Sequence, residues 1–438
     1  MNYNLLKDAY FGTGGFANGG YLSRHKREST EDYQARRAAA YYQNYFAPIV
    51  NALVDPIFKK APMRDYQSSI DDIVRDFLQD VDGSGTDMDT FMKRAAIMAK
   101  IYGVSFIIVD MARDANAQNM QDLRKRRVYP YLRVTGPQEI NGNTYGLDAR
   151  GNLTYIEFRE TAKINDGAVA YRYCRYGLDG WKITGDDKIE NAQGSYHLGR
   201  VPVIPVFSRM LEQKTMMPES DMSSIATMAK ALYNHCSWLS EILRNQTFPL
   251  MTIPSLDAKE IVVGNNNALG YSPDSTHEPK FIAPSSDPAN ILQKQIGIIV
   301  QEMYRMASLS YMQSESAKTS SGVARQWEFE RTNQQLANFA ANISRAEELV
   351  MQVFAHYLNT EITYTVTYPD DFGVADVEDD IKQAQEVLDL DLTPGIKKEV
   401  LKKVLAAYCP NLTGDRVSEL IQELEKEETD CENADDGE

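Results

Sequence analysis

Apolar residues spaced three or four positions apart predict a long helix between residues 323 and 359. Neither Pro nor Gly interrupts this segment. At 1.5 Å per residue such a helix is roughly 50 Å long, so we expect it to bridge domains or to pack against neighbouring subunits. The apolar residues that share one helical face are Leu336, Phe339, Ala340, Ile343, Val350, Val353, Phe354 and Tyr357.

Two further amphipathic patterns bracket a small segment upstream. The first opens between Pro218 and Asp221 and ends at Pro249, and the second runs from Pro288 to about Met312. Residues 250–285, between them, contain a Gly/Asn turn and several prolines. We therefore expect two helices that lie antiparallel, with the small segment at their far end. The stripes include Met228, Leu232, Leu239, Leu292, Ile296 and Ile299.

Between Val104 and Phe207 the pattern changes to short segments rich in aromatic and β-branched residues. Asn-Gly, Gly-Asn and Asp-Gly turn signals separate these segments, which predicts an antiparallel meander. Residues 201–207 carry two prolines, so they suit only an edge strand or an extended linker. Residues 361–368 alternate and predict a return strand that joins the same sheet. The segments of the meander are 105–110, 129–134, 153–158 and 169–174.

The remaining chain is mostly helical in pattern. We expect a flexible arm at 1–29, a helix from Ser29 or Thr30 to Phe46, and a second helix from Val50 that Pro62 closes. Further helices are predicted at about 69–80 and 88–102, and three short ones within 376–428. The tail 427–438 is strongly acidic, which is typical of disorder. The fold class is therefore α+β.

Composition and charge narrow the classes of function. A chain of 438 residues allows roughly two to four domains. Its net charge is -16, whereas proteins that grip phosphates present basic surfaces, so tight nucleic-acid binding by the whole chain is disfavoured. The four cysteines are scattered, as expected for reduced thiols in a cytosolic chain. The pattern predicts neither a signal peptide nor a membrane span.

The search for catalytic or metal-binding motifs yields weak candidates. Asp80, Asp82, Ser84 and Gly85 fit part of a calcium loop, but Phe91 stands where a bidentate Glu is required. We interpret 80–89 as an acidic turn that caps the next helix. Residues 317–320 resemble the end of a phosphate loop but lack its glycines, and the pair at 370–371 reads as a solvated turn. We therefore expect that the chain is not an enzyme, that it binds no cofactor and that it has no metal site.

The order of these elements, with three sequence segments, resembles the portal proteins of tailed bacteriophages. The segments are YYQNYFAPIVNALVDPIFKKAP at 41–62, LYNHCSWLSEIL at 232–243 and SGVARQWEFERTNQQL at 321–336. The resemblance covers most of the chain. It implies a mixed helix and antiparallel-sheet wing, two antiparallel stem helices, a small clip, a long tunnel-adjacent helix and a short helical crown.

The resemblance also implies a division of the chain. The wing takes residues 1–215, with the flexible arm at 1–29, and residues 325–375. The stem helices are 216–249 and 286–312, and the clip between them is 250–285. The tunnel loop is 313–324, the crown is 376–428, and a disordered acidic tail follows at 429–438.

Roles for individual residues follow from the same resemblance. In the tunnel loop, the implied DNA-facing residues are Ser314, Ser316, Lys318, Thr319, Ser320 and Ser321. The implied stem contacts are the stripe residues Met228, Leu232, Leu239, Leu292, Ile296 and Ile299. In the clip, the implied docking residues are Lys259, Glu260, Asn265, Asn266 and Asn267.

Portal proteins form a ring, usually a dodecamer, at one capsid vertex, and the resemblance implies such a homo-oligomer here. DNA would be packaged and ejected through it without sequence specificity, with the large terminase ATPase docked at the clip. A head-completion or adaptor protein would attach later, and the major capsid or scaffolding protein would contact the wing. The chain would be assembled in the host cytoplasm and would reside in the virion, without membrane contact. An acidic channel suits a sliding polyanion, because it makes few fixed phosphate contacts.

Two other functions remain open. One is a different oligomeric virion component, such as a head–tail adaptor, although adaptors are usually shorter and lack an insert between two stem-like helices. The other is a metal-dependent nuclease, with ligands drawn from Asp80, Asp82, Asp87, Asp89 and Asp370. Metal-stimulated cleavage of DNA would favour the nuclease.

Overall fold

The computed structural model describes residues 2–111, 129–163, 169–185, 191–209, 215–247, 250–252, 280–282, 286–309, 322–370 and 372. Met1–Asp370 forms one compact unit and Asp371–Glu438 another, and every helix and strand given below belongs to the first. The predicted crown, acidic tail and clip docking residues lie outside the described residues. So do the six residues predicted to face DNA in the tunnel loop.

The segment predicted to be a flexible arm is folded, so that prediction was wrong. Helices α1 (Tyr3–Phe11) and α2 (Gly14–Ala17) lie within it. Gly12 ends α1 in the left-handed conformation that glycine adopts easily. Leu6 and Phe16 are only 2% exposed. Burial of these side chains holds the segment against the body. The glycine-rich sequence gives little indication of this burial.

The next helix is shorter than predicted. Helix α3 (Thr30–Ala39) begins as expected, with the Ser29 side chain accepting a hydrogen bond from the backbone N–H of Asp32, but it ends seven residues before Phe46. Helix α4 (Phe46–Ala52) and a 3-10 turn (Asp55–Phe58) follow. Pro48 was expected to end a helix, but it lies in the first turn of α4, where its missing N–H costs no intrahelical bond.

The predicted meander is present, but its strands divide between two sheets. Strand β2 (Val104–Met111) lies between β3 (Pro130–Thr135) and β9 (Val203–Phe207) in a three-stranded sheet. Strand β9 is an edge strand, as the two prolines in residues 201–207 predict, and one of them, Pro205, lies within it. The second sheet is an antiparallel meander of β4 (Ile140–Leu147), β5 (Leu153–Lys163), β6 (Val169–Gly177), β7 (Gly180–Gly185) and β8 (Ala192–Ser195).

The two sheets share one hydrophobic core. Phe106 of β2 meets Phe158 of β5 edge-to-face, with ring centroids 5.8 Å apart. Ile156 and Phe158 are buried from the five-stranded sheet, and Val104 and Ile108 from the three-stranded sheet. Burial of facing apolar side chains therefore holds the sheets together.

The return strand joins neither of these sheets, which corrects the prediction. Strand β12 (Ile362–Thr367) pairs antiparallel with β1 (Met63–Ser68), a strand that sequence analysis missed, in a two-stranded ribbon. Tyr66 and Tyr364 lie opposite each other with stacked rings. The sequence of β1 contains no β-branched residue, so it carries little strand signal.

The predicted long helix is confirmed with nearly the expected bounds. Helix α9 (Gly322–Tyr357) has 36 residues and takes in the last three residues of the predicted tunnel loop. It packs on β2, β9, β12 and helix α6 (Met88–Tyr102). Its predicted apolar stripe is buried from Leu336 to Phe354, and Tyr357 is half-buried. The helix therefore packs its apolar face on the core of the unit, while residues such as Arg331, Asn338 and Arg345 on its other face are exposed.

The acidic turn has the capping role that the sequence suggested. Helix α5 (Asp71–Gln79) precedes it, and the Asp87 carboxylate accepts the backbone N–H of Thr90 at 2.8 Å at the start of α6. Asp80 and Asp82 accept the backbone N–H groups of Gly85 and Ser84, at 2.8 and 2.9 Å. Their oxygens therefore satisfy backbone donors within the turn.

Candidate functional site

Two amphipathic helices form a hairpin that is the main candidate for assembly. Helix α7 (Ser223–Thr247) leads into strand β10 (Leu250–Thr252), and strand β11 (Lys280–Ile282) leads into helix α8 (Asp287–Met306). The two short strands pair antiparallel, and the two helices contact each other. The chain therefore leaves the body along one helix and returns along the other.

Helix α7 is fixed to the body by the N-terminal segment. Tyr233 lies in an aromatic cluster with Phe16 and Tyr42, and the Phe16 and Tyr42 rings stack 4.0 Å apart. Asn234 accepts the backbone N–H of Ser23 at 2.7 Å. The buried guanidinium of Arg36 donates to the Ser237 hydroxyl at 3.1 Å. The folded N-terminus thus holds one side of the hairpin.

An ion pair fixes the start of the hairpin. The Lys100 ammonium lies 2.7 Å from Asp221, just before α7, and Ser208 donates to the same carboxylate at 3.0 Å. Lys100 also lies over the Phe339 ring of the long helix, 5.3 Å from its centroid. Helices α6 and α9 and the start of α7 therefore meet at one largely desolvated ion pair. Removal of either partner of such a pair strongly lowers the free energy of unfolding.

Helix α8 leaves several large apolar side chains in solvent. Ile291 is 66% exposed and Ile298 is 50% exposed, whereas Met303 is fully buried. Ile291 and Ile298 are seven positions apart and so share one side of the helix. Trp238 and Leu243 on α7 are also exposed. An exposed apolar stripe along a helix is typical of a protein–protein contact.

The predicted stem residues lie mostly inside the hairpin and against the body. Leu232 is 1% exposed and Ile299 is 7% exposed. Met228, Leu239, Leu292 and Ile296 are half-buried. The side chains that remain for a partner, Ile291 and Ile298, were not among the predicted residues. The signal that could have found them is that α8 is apolar on two sides, which one neighbouring helix cannot cover.

A second charged cluster anchors the long helix. The Glu347 carboxylate is fully buried and accepts the Arg64 guanidinium at 2.7 Å and the Tyr368 hydroxyl at 2.6 Å. Tyr364 donates to the same carboxylate. Burial raises the pKa of Tyr368, and the adjacent Glu347 charge raises it further. This cluster joins α9 to both strands of the ribbon.

Four of the five carboxylates considered for a nuclease have other partners. Asp80, Asp82 and Asp87 bind backbone N–H groups of their own turn, and Asp89 pairs with Arg64. Among the described residues no group of three His, Cys, Asp or Glu side chains could hold a metal ion. The four carboxylates with partners therefore serve local structure.

Burial raises the pKa of the Cys174 thiol to about 11, so this thiol is protonated at neutral pH and is a poor nucleophile.

No helix in the described part of the chain combines the length and the apolar character that a membrane crossing requires.

A polar network links the two sheets beside their shared core. Arg133 of β3 donates to Glu160 of β5 at 2.8 Å and to the Tyr176 hydroxyl at 2.9 Å. Arg172 also donates to Glu160, at 2.7 Å. Burial alone would raise the pKa of Glu160, but the charges and hydrogen bonds of Arg133 and Arg172 hold that pKa below its usual value. The carboxylate is therefore charged in the folded chain.

We expect Glu160→Gln to lower the free energy of unfolding by about 1.5–3 kcal/mol at neutral pH, because hydrogen bonds to a charged group are lost. The depressed folded-state pKa stabilises the fold above the unfolded value of about 4.3, and this contribution fades as pH falls through the folded value. The difference between wild type and variant should therefore shrink below about pH 4. Denaturant titrations across pH measure it, with exposed Glu219→Gln as the control; a difference independent of pH would contradict the prediction.

Comparisons with known proteins give structural similarity only. No protein-family model matches the chain, and no curated protein matches it. One similar solved structure is "Neck of empty GTA particle computed with C6 symmetry", at 11% identity and a TM-score of 0.47, covering 88% of this chain and 96% of that chain.

Two further solved structures are similar to the same extent. "Virion of native gene transfer agent (GTA) particle" matches at 11% identity and a TM-score of 0.47, covering 91% of this chain and 93% of that chain. "Neck of native GTA particle computed with C12 symmetry" matches at 11% identity and a TM-score of 0.46, covering 81% and 88%. At this identity and TM-score the likeness assigns no function by itself.

Proposed function

We propose that the chain is a portal subunit that assembles into a ring at one capsid vertex of a tailed phage or a similar particle. The observation that carries the proposal is the hairpin, whose outer helix exposes Ile291 and Ile298 although the same helix already packs on α7. In a ring, these side chains would be buried against the neighbouring subunit. A ring of identical contacts closes without leaving an apolar face in solvent.

Other features support the same proposal. The hairpin ends in a small strand pair and is followed, after residues 310–321, by a long helix that returns into the body. This is the order of stem, clip, tunnel loop and long helix in portal proteins. The formal charge of -16 per subunit suits a channel along which duplex DNA slides without being held.

The partners follow from the proposed ring. The clip at 250–285 would dock the large terminase during packaging and a head-completion protein afterwards, and the wing would contact the major capsid or scaffolding protein. The ring would contain about twelve copies, as is usual for portal proteins, and it would remain in the virion as the channel for ejection. No enzymatic activity is proposed, because four of the five carboxylates considered for a nuclease have structural partners.

The ring is tested by the double substitution Ile291→Glu with Ile298→Glu. Wild type should form one large cyclic oligomer in native mass spectrometry, and the double variant should dissociate to monomers or small species, because charges would be placed in an apolar contact. Both residues are at least half exposed, so the fold of the subunit should survive, with the free energy of unfolding changed by about 0.5 kcal/mol or less.

Gln293→Glu is the matched control. Gln293 is exposed on the same helix, but it points away from the side that carries Ile291 and Ile298. This variant should assemble as wild type does. A wild-type chain that stays monomeric in several buffers and at all concentrations would overturn the proposed function. Normal assembly of the double variant would show that this stripe is not the contact.

A further inference from the structure

The five-stranded sheet has one face outside the shared core, and this face mixes tyrosines with cations. Along β5 and β6, residues such as Phe158 and Cys174 point into the core. Side chains alternate along a strand, so the intervening residues point outward. We call six of these outward residues of β5, β6 and β7 the outer sheet face. They are Tyr155, Arg159, Tyr171, Tyr173, Arg175 and Lys182.

The charge of this face is opposite to that of the chain. Arg159, Arg175 and Lys182 are exposed there, and Glu157 is the carboxylate that shares the face, opposite Arg175. The Arg159 charge also acts on the nearby Glu139 carboxylate. Three cations against these two carboxylates still leave this small surface with a positive balance, while the whole chain carries -16. A local positive surface on an acidic protein selects acidic partners.

Two of the cations are placed at a cost to stability. Arg175 of β6 and Lys182 of β7 are directly opposite each other in the strand register. Like charges in this position destabilise a sheet, because the side chains are only about 5 Å apart at Cβ. Glu157 of β5 lies opposite Arg175 on its other side and balances one of these two charges, so one positive charge of the pair is left over for an anionic group of a partner.

Stacking orders the two arginines. The Arg175 guanidinium lies 4.1 Å from the centroid of the Tyr155 ring, and Arg159 lies 5.1 Å from that of Tyr171. A guanidinium that stacks on a ring keeps its N–H donors at its edge, where they match the two oxygens of a carboxylate. Tyr and Arg are also the residues that contribute most at protein interfaces.

The same geometry disfavours a nucleic acid as the ligand. Single strands bind by stacking bases on open aromatic faces. The Tyr155 ring is covered by Arg175 and packs against Gly146, where an added Cβ would lie 2.5 Å from the ring. The Tyr171 ring is likewise occupied by Arg159. The rings therefore order the cations and are not open platforms for bases.

We propose that the outer sheet face is a docking surface for an acidic segment of a partner protein. Carboxylates of the segment pair with Arg159, Arg175 and Lys182, and its apolar atoms pack on the exposed part of Tyr171. This contact also offsets the repulsion between Arg175 and Lys182. The proposal is independent of ring formation, because it uses a different part of the molecule from the hairpin.

The test is fluorescence anisotropy with the full-length protein and a labelled peptide of alternating Glu and Ser. A peptide of about sixteen residues is long enough to cross five strands about 4.8 Å apart. We expect salt-sensitive binding that is lost when Gln replaces every Glu of the peptide. The double variant Arg175→Gln with Lys182→Gln should bind about tenfold more weakly or worse. Its melting temperature should change little, because relief of the like-charge pair offsets the lost stacking of Arg175 on Tyr155.

Arg150→Gln with Arg209→Gln is the matched control, since it removes two exposed cations outside this face. It should keep the affinity within about twofold, as distant exposed charges are screened. Failure of wild type to bind the acidic peptide would overturn the proposal, as would equal loss in both double variants. Tighter binding of an oligothymidylate that depends on Arg175 and Lys182 would also overturn it, in favour of a nucleic-acid site.

Discussion

Replacement of Glu347 by Ala should lower the free energy of unfolding by about 3–5 kcal/mol, the usual cost of removing one partner from a buried ion pair. The Glu347 side chain has no exposed area, and that of Arg64 is 16% exposed. Without the carboxylate, Arg64 keeps only its contact with the half-exposed Asp89. The hydroxyls of Tyr364 and Tyr368 also lose their acceptor.

The substitution Glu347→Gln removes the negative charge of the side chain but nearly keeps its shape. The amide is nearly isosteric and can still accept hydrogen bonds, but it does not balance the Arg64 charge, so an intermediate loss is expected. Denaturant unfolding monitored by circular dichroism measures all of these variants. Glu330→Ala, on an exposed position of the same helix, is the control and should change stability by about 0.5 kcal/mol or less. A loss below about 1 kcal/mol for Glu347→Ala would contradict a role in anchoring α9.

This cluster also shows what the sequence could not reveal. Arg64 and Glu347 are 283 positions apart, and neither lies in a recognisable motif. A Glu within a long amphipathic helix normally reads as a solvated residue. Its burial follows from the position of the ribbon against α9, which depends on the pairing of β1 with β12. The strand β1 itself was missed, so its contacts could not be predicted.

Elements with a strong local pattern were predicted well. The stripe from Leu336 to Phe354 has the helical period over many turns, and the structure buries it. Pro205 places β9 at an edge, because proline cannot donate in a ladder. The Asp87 cap follows from an acidic residue directly before an apolar run. In each case the decisive interaction is local or concerns the backbone of the same segment.

The candidate interface was predicted only in part. Sequence periodicity located both hairpin helices, but it could not divide their apolar residues between the body and a partner. Phe16 and Tyr42 cover part of α7, and sequence analysis had placed Phe16 in a flexible arm. Which apolar residues of α7 stay exposed depends on these long-range contacts. The exposed pair Ile291 and Ile298 on α8 likewise became visible only in the structure.

Removal of residues 316–320 should leave the ring intact and abolish DNA packaging or retention. The structure shows why the fold tolerates the deletion. Ser308 and Leu309, just after α8, are buried, and Thr332 and Gln335 of α9 donate hydrogen bonds to Ser308. The connection therefore starts beside Thr332 and must reach Gly322, which lies about 15 Å away along α9.

The chain between these points has length to spare. From Leu309 to Gly322 it can extend to roughly 43 Å, and after removal of residues 316–320 it still reaches about 26 Å. Both values exceed the 15 Å or so that the helix requires. The shortened chain should therefore close without pulling Ser308 from Thr332, and ring assembly should persist.

The proposed role of the segment in the channel predicts the loss of packaging. Ser316, Thr319 and Ser320 are small polar residues that can touch phosphates briefly, and Lys318 adds one positive charge in each subunit. The deletion removes Lys318, Thr319 and Ser320 from every copy around the ring. The matched control replaces residues 316–320 by Gly and Ser, which keeps the length but removes Lys318. If contact with DNA matters more than length, this control should also package less.

Two readouts distinguish the outcomes of this experiment. Electron microscopy counts rings formed by the purified variants, and packaged genome length per particle measures packaging and retention. Normal rings with short or absent genomes are the expected result. Full packaging by the deletion variant would show that the segment only connects α8 to α9. Loss of the rings themselves would show that the segment contributes to subunit contacts, which the spare length of the connection argues against.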